Sequence, residues 1–159
     1  MDSDSENILH FISDMLVNEF GITLDFDGLD SDLLHIKQHY NRHDGGCFWV
    51  VERIDNYQTI GTFAIRKPKQ LITATTNDDT DSCELKRMFL SKPYRGLGIG
   101  QQMLKIALNF AKSQNYSKVF LYSSRDLADS RKLYLKNGFM DIPRYNDDPR
   151  ANVFMRKNL

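Results

Sequence analysis

Residues 84–104, with the sequence ELKRMFLSKPYRGLGIGQQML, join a predicted strand to a predicted helix through a glycine-rich turn. Residues 83–90 alternate their side chains between two faces, which predicts a strand. Apolar residues then recur at helical spacing from Gly100 to Ala111, which predicts a helix of about four turns. The turn between them is RGLGIG, Arg95–Gly100, and its glycines allow backbone conformations that other residues resist.

A glycine-rich turn between a strand and a helix is an anion-binding element. Several backbone N–H groups and the positive end of the helix converge there. Gly96, Gly98 and Gly100 let a phosphate approach the backbone with no Cβ in the way, and Arg95 adds a positive charge. The turn therefore predicts a phosphate-bearing ligand, with a pyrophosphate as the best fit.

The residues around the turn separate three families of phosphate-binding proteins. A P-loop nucleotide site requires Lys followed by Ser or Thr after the last glycine, whereas this chain has Gln101 and Gln102. A dinucleotide-binding turn requires a longer spacing to its last glycine and an acidic residue at the end of the next strand, which here ends in Tyr122, Ser123 and Ser124. The third pattern, Arg-x-x-Gly-x-Gly on a strand–loop–helix, is the one that fits.

This pattern resembles the signature of the GNAT superfamily of acyl-CoA-dependent N-acyltransferases. Residues 84–104 and the stretch KLYLKNGF at 132–139 match the two central motifs of that family at the expected separation. The resemblance is firm over residues 83–139 and looser over about 29–158. It implies an N-acetyltransferase that uses acetyl-CoA as co-substrate, needs no metal and acetylates a primary amine of a small molecule.

The resemblance also implies a cofactor site on the strand and the turn. The backbones of Met88 and Leu90 would hydrogen-bond the pantetheine arm, which would lie like an added strand. The N–H groups of the turn would bind the pyrophosphate, and the Met88 N–H would stabilise the oxyanion. The cofactor-binding residues expected on this basis are Met88, Phe89, Leu90, Arg95, Gly96, Leu97, Gly98, Ile99, Gly100 and Gln101.

Two side chains match catalytic positions of the family. Glu84 matches a general base that would take a proton, through water, from an ammonium substrate, which implies partial burial. Tyr134 matches a tyrosine that would protonate the departing coenzyme A thiolate, so that transfer is direct, without a covalent enzyme intermediate. The plainer alternatives are an exposed Glu84 paired with Lys86 or Arg87, and a Tyr134 that only packs.

One departure from the family lies before Tyr134. Leu127 and Ser130 stand where the family often has Asn and Ala, and that Asn usually helps to hold the cofactor. Ser123, Ser124 and Ser130 are the candidate replacements. Farther along, the segment IPRYNDDPR at 142–150 is rich in Arg, Tyr and Asp, so Arg144 and Tyr145 are weaker candidates for the acceptor site.

The remaining segments predict a single domain, residues 1–159, of the α/β (α+β) class, with a mostly antiparallel mixed sheet flanked by helices. Helices are predicted near 7–20 and near 127–136. A further helix is predicted to begin at Asp30, Ser31 or Asp32 as N-cap, to carry Leu33, Leu34, Ile36 and Tyr40, and to end at Gly45-Gly46. Strands are predicted at 47–54, 59–66, 118–122, from 139 onward and at 152–156. Residues 75–82 form a predicted acidic loop.

The bulk composition limits the partners. Lys plus Arg equals Asp plus Glu at 21 each, so no overall field attracts nucleic acid or an anionic membrane. The N-terminus lacks a signal-peptide pattern, and Cys47 and Cys83 are expected to be free and packed, which favours a cytoplasmic location. A homodimer is compatible with the family but has no signature here. Two other functions stay open: acetylation of protein N-termini or lysines, and non-catalytic acyl-CoA sensing.

Overall fold

The computed structural model describes residues 3–68, 81–124 and 128–159. Its strands are Cys47–Glu52 (β1), Thr59–Arg66 (β2), Ser82–Leu90 (β3), Lys118–Ser123 (β4), Met140–Asp141 (β5) and Val153–Asn158 (β6). They form a six-stranded sheet in the order β1-β2-β3-β4-β6-β5. β3 and β4 are parallel, whereas β1 with β2, β4 with β6 and β5 with β6 are antiparallel. The predicted α/β fold with a mostly antiparallel mixed sheet is confirmed.

The helices follow the apolar periodicity in the second half of the chain more closely than in the first. They are Ser3–Asp14 (α1), continued by a π-helical turn Met15–Glu19, then Ile36–His39 (α2), Ile99–Ser113 (α3) and Ala128–Lys136 (α4). In α3 the buried residues Met103, Leu104, Ala107 and Ala111 recur at helical spacing, as predicted. No helix in the described part of the chain is long and apolar enough to cross a membrane.

The helix predicted to run from Asp30–Asp32 to Gly45-Gly46 is wrong as one continuous element. The chain instead forms a 3₁₀ turn at Ser31–Leu33, followed by the single turn of α2. His35, between them, has φ −136° and ψ 46°, which no helix accommodates. The predicted N-cap role also fails, because neither cap carries a side-chain hydrogen bond.

Two compact units make up the chain. The first comprises Met1–Arg66 and Lys86–Gly100, and the second comprises Lys67–Leu85 and Gln101–Leu159, so that β3 contributes residues to both. The expectation of a single domain stays a prediction.

Each unit has its own apolar cluster. In the first, Ile12, Leu16 and Leu33 are buried together, and Phe89 of β3 packs against them. In the second, the buried members are Phe120, Tyr145, Ala151 and Phe154. Cys47 and Cys83 are free and buried, as expected from the sequence. β3 therefore carries core side chains and candidate site residues on the same short stretch.

Candidate active site

The strand β3 is paired with β4 near its start and bends farther along. Its described ladder with β4 comprises three pairs, from Ser82–Lys118 to Glu84–Phe120. Three residues later Arg87 has φ 52°, in the left-handed region that non-glycine residues seldom adopt. A residue in this conformation within a strand bends it and re-aims the groups that follow, as in a β-bulge. Met88, Phe89 and Leu90 follow this bend and are half-buried. Their role in binding the pantetheine arm stays a prediction.

The glycine-rich turn contains two glycines with left-handed backbone conformations. Gly96 and Gly98 have φ values of 77° and 82°, and a Cβ added at either position would meet no atom within 4 Å. The space beside both glycines is therefore open. The turn runs directly into α3, whose first N–H groups have no partner within the helix. These features fit a pyrophosphate bound by backbone N–H groups at this turn.

Arg95 makes contacts that the sequence did not reveal. Its guanidinium forms an ion pair with Glu19, at the end of the π-helical turn, and its Nε donates to the carbonyl oxygen of Leu90 at 2.7 Å. The guanidinium also lies 6.0 Å from the ring centroid of Phe20. In this structure Arg95 fastens the glycine-rich turn to its own unit. Its role in binding phosphate stays a prediction.

Gln101, the last predicted cofactor-binding residue, uses its side chain within the second unit. Its Nε2 donates to Oδ1 of Asn137 at 2.7 Å, and Asn137 Nδ2 donates to Gln101 Oε1 at 3.0 Å. Asn137 Nδ2 also donates to the carbonyl of Leu133 at 2.8 Å. This amide pair ties the first turn of α3 to the end of α4, which leaves the backbone N–H of Gln101 as its candidate for binding the cofactor.

Glu84 is buried, and a tyrosine binds its carboxylate. The residue is 4% exposed. The hydroxyl of Tyr145, itself 5% exposed, donates to Glu84 Oε1 at 2.9 Å. The alternative of an exposed strand carboxylate is therefore wrong. The structure brings together the candidate base and a residue that the sequence had suggested only for the acceptor site.

The loop that carries Tyr145 is braced from within. Arg144 donates to the carbonyl oxygens of Asn146, Asp148 and Ala151 at 3.3, 3.0 and 2.6 Å, and its guanidinium lies 4.7 Å from the ring centroid of Phe154. The ring of Tyr145 packs edge-on against Phe120, Tyr122 and Phe154. This packing fixes the direction of the Tyr145 hydroxyl toward Glu84.

An open cleft of about 830 Å³ lies beside the same loop, and Arg131, Arg144 and Phe154 are among its lining residues. The two arginines already have protein partners. Arg131 forms an ion pair with Asp141, and Arg144 binds the loop carbonyls. The contribution of Arg144 to an acceptor site stays a prediction.

Tyr134 lies on α4 and is 6% exposed. Its ring packs against Phe139, with the ring centroids 5.7 Å apart. A phenol is protonated at neutral pH, and burial raises the pKa of the Tyr134 hydroxyl above its ordinary value, which makes it a weaker acid. A neutral donor is what the proposed protonation of a thiolate needs.

Leu127 lies outside the described residues, as do residues 75–80 of the predicted acidic loop.

Cys83 is not arranged as a nucleophile. It is buried, and its Sγ lies 3.7 Å from the carbonyl oxygen of Lys118, to which it can donate a weak hydrogen bond. Burial, and then the charge of the neighbouring Glu84, raise the pKa of the thiol. A thiol with a raised pKa is a poor nucleophile. This environment agrees with a packing role.

Comparison with known proteins points in one direction. The model of the acetyltransferase (GNAT) family matches residues 10–139. N-acetylaspartate synthetase of Danio rerio is 29% identical over 119 residues, which are 75% of this chain and 38% of that protein. This chain thus spans well under half the length of that relative.

Solved structures agree on the fold. A GNAT-family acetyltransferase from Staphylococcus aureus Mu50 has a TM-score of 0.84 at 28% identity, covering 99% of this chain and 94% of that one. The PaiA N-acetyltransferase from Thermoplasma acidophilum, crystallised with coenzyme A, has a TM-score of 0.68 at 16% identity, covering 98% and 93%. The second likeness shows the fold alone.

Proposed function

This chain belongs to the acetyltransferase (GNAT) family, and from that premise we propose that it transfers an acetyl group from acetyl-CoA to a primary amine of a small molecule. The observation that carries the proposal is the turn with left-handed Gly96 and Gly98, which has open space beside it and leads into a 15-residue helix. The name of a relative, N-acetylaspartate synthetase, supports an amino-acid amine as the class of acceptor.

The residues expected to hold acetyl-CoA act through their backbones. The N–H groups of Gly96, Gly98 and Gly100 would bind the pyrophosphate, and Met88 and Leu90 would bind the pantetheine amides as a neighbouring strand does. Acetyl-CoA supplies the thioester that the amine attacks. The Met88 N–H would donate to the oxygen that becomes negative during that attack.

Proton transfer falls to Glu84 and Tyr134. An ammonium group must lose a proton before its nitrogen can attack, and Glu84 would accept that proton through water. Tyr145 donates to Glu84 and so orients its carboxylate for this step. Tyr134, a phenol that is neutral at pH 7, would donate a proton to the departing thiolate.

The first test measures free thiol released from acetyl-CoA in the presence of a panel of amines. The panel contains aspartate, lysine, an aliphatic diamine, a peptide with a free N-terminus and a peptide with an internal lysine. Saturable release with aspartate, lysine or the diamine is the expected result. Release with the peptides alone would move the function to protein acetylation. Coenzyme A binding by calorimetry with no release for any amine would leave the acyl-CoA-sensing function instead.

A second test addresses Tyr134. The substitution Tyr134→Phe should lower kcat by about 100-fold, because it removes the proton donor, while the Kd for coenzyme A is preserved. Equal losses in kcat and in cofactor affinity would assign Tyr134 to packing.

A further inference from the structure

A buried cluster of opposite charges surrounds Arg87, whose side chain is 7% exposed. Its Nε donates to Oδ2 of Asp32 at 3.1 Å, and its Nη2 donates to Oδ1 of the same carboxylate. Its Nη1 donates to Asp30 Oδ1 at 2.9 Å, and Nη2 also donates to the carbonyl of Leu29 at 3.2 Å. The other oxygen of Asp30 accepts the backbone N–H of Asp25 at 3.0 Å. One guanidinium thus gathers the segment 25–32 around β3.

The Asp32 carboxylate has further partners. The hydroxyl of Tyr40 donates to it, and Nη1 of Arg66 lies 3.8 Å from its Oδ2. Burial alone would raise the pKa of Asp32, but the hydrogen bond and charge of Arg87, with Tyr40 and Arg66, hold it well below its usual range. The carboxylate is therefore ionised at neutral pH, and the ion pair with Arg87 is permanent.

This cluster holds Arg87 where its backbone is unfavourable. Its φ of 52° places a non-glycine residue in the left-handed region. Such a conformation is unfavourable for a non-glycine residue and persists only where the surroundings impose it. The side chain is fixed by two carboxylates, and the carbonyl oxygen accepts a hydrogen bond from Oγ1 of buried Thr62 at 2.9 Å. Both ends of the residue are therefore anchored.

We propose that Arg87 is a positioning residue for acetyl transfer: its ion pairs with Asp30 and Asp32 impose the backbone bend that aims the N–H of Met88. The inference rests on the proposed function, which gives that N–H its task at the developing oxyanion. A peptide plane displaced by a fraction of an ångström loses much of its value for transition-state binding. The segment 25–32 contains no candidate catalytic residue. Through its ion pairs with Arg87 it nevertheless affects turnover.

The test uses Arg87→Lys, which keeps the positive charge but cannot reproduce the planar two-pronged contact. We expect kcat to fall about 10- to 100-fold, because the Met88 N–H is misaligned. The KM for acetyl-CoA should change by less than about threefold, since the pyrophosphate site is unaltered. The melting temperature is measured alongside, and kcat is compared at a temperature at which both proteins are fully folded. A fall in kcat matched by a comparable loss of folded protein would assign Arg87 to stability alone.

Thr62→Val supplies a second variant that leaves all charges in place. It removes only the hydroxyl that donates to the Arg87 carbonyl, so it loosens the bend from its other end. We expect kcat to fall while the KM for acetyl-CoA is kept, as for Arg87→Lys. Arg42→Lys is the matched control, because Arg42 is an exposed arginine in the 3₁₀ turn Arg42–Asp44 of the same unit and belongs to no candidate site. It should leave both constants unchanged.

A readout that needs no turnover separates this inference from the proposed function. Protein labelled with [¹⁵N]methionine gives few amide signals, since the chain has six methionines, and Met88→Leu identifies the Met88 signal. We expect Asp30→Asn, which removes one of the two ion pairs without changing the residue next to Met88, to shift that signal and to reduce its response to coenzyme A. An unchanged Met88 signal together with unchanged kcat would overturn the inference. If the wild type acetylates no amine, the proposed function fails and the Met88 signal still decides whether Arg87 sets the bend.

Discussion

Asp32 and Glu84 are both buried carboxylates, one in each unit, but their described partners differ. In the first unit Asp30 and Asp32 face the guanidinium of Arg87. In the second, Glu84 accepts a hydrogen bond from the phenol of Tyr145. A guanidinium compensates a buried negative charge and fixes it in the ionised state, whereas a phenol contributes a hydrogen bond and no charge. The pairing suits the proposed tasks: a permanent ion pair to hold a backbone bend, and a neutral donor beside a group that exchanges a proton.

Glu84→Gln gives the largest expected effect and tests the second half of this comparison. The amide can still accept the hydrogen bond from Tyr145 but cannot take a proton at neutral pH. We expect kcat/KM for the amine to fall by about 10²- to 10⁴-fold, the usual value of a general base, with the fold retained. Thiol release measures the rate, and Glu52→Gln, at an exposed position on β1, is the control. Near-normal turnover by Glu84→Gln would remove Glu84 from the chemistry.

Asp32→Asn tests the buried ion pairs of the first unit. It leaves Arg87 and Arg66 buried beside an amide that carries no charge. Breaking a buried ion pair on one side typically costs about 3–5 kcal/mol of unfolding free energy. Denaturant titration measures this loss. Asp55→Asn, which breaks an exposed pair with Arg53, should leave the unfolding midpoint close to that of the wild type. Equal effects of the two substitutions would contradict the distinction between the buried cluster and a surface pair.

The pH dependence of the unfolding free energy tests the role of the charge on Asp32. The folded-state pKa of Asp32 lies below its unfolded-state value, so folding is favoured by ionisation of this group. Its contribution is complete above about pH 4 and is lost as pH falls further, by about 1.4 kcal/mol per unit. Unfolding free energies measured from pH 5 to pH 2 should therefore converge for wild type and Asp32→Asn. A constant difference over that range would show that folding does not lower the pKa of Asp32.

The strand, turn and helix around the candidate cofactor site could be predicted from the sequence. The run from β3 through Gly96 and Gly98 to α3 follows from alternation, glycine spacing and helical periodicity within about twenty residues. The paired groups could not be predicted, because they are remote along the chain. Tyr145 lies 61 residues from Glu84, and Arg87 lies 55 residues from Asp32.

The backbone conformation of Arg87 could not be predicted from the sequence either. Nothing in the residue type of Arg87 indicates a left-handed φ, since only its surroundings impose that angle. For the same reason Asp30 and Asp32 suggested helix caps from their position before apolar residues. Their carboxylates instead bind a guanidinium that the fold brings to them. Local preference yielded to a tertiary ion pair, and the predicted helix was broken into short turns.

Tyr145→Phe gives the smallest of these effects. It removes the hydroxyl that donates to Glu84 and keeps the ring that packs against Phe120 and Phe154. Loss of one hydrogen bond to a buried carboxylate costs about 1.5–3 kcal/mol, so kcat should fall by about 10- to 150-fold. Tyr57→Phe, at an exposed position, is the control. Unchanged kcat for Tyr145→Phe would mean that the hydrogen bond orients nothing the reaction needs.

Single-turnover labelling distinguishes direct transfer from transfer through a covalent enzyme intermediate. Enzyme in excess is mixed with acetyl-CoA carrying ¹³C in the acetyl group and with the best amine of the panel, and intact protein and small molecules are weighed by mass spectrometry at successive times. The account predicts that the label passes to the amine nitrogen while the protein mass stays unchanged. Label on the protein before it reaches the amine, or label that stays on bound acetyl-CoA, would contradict it.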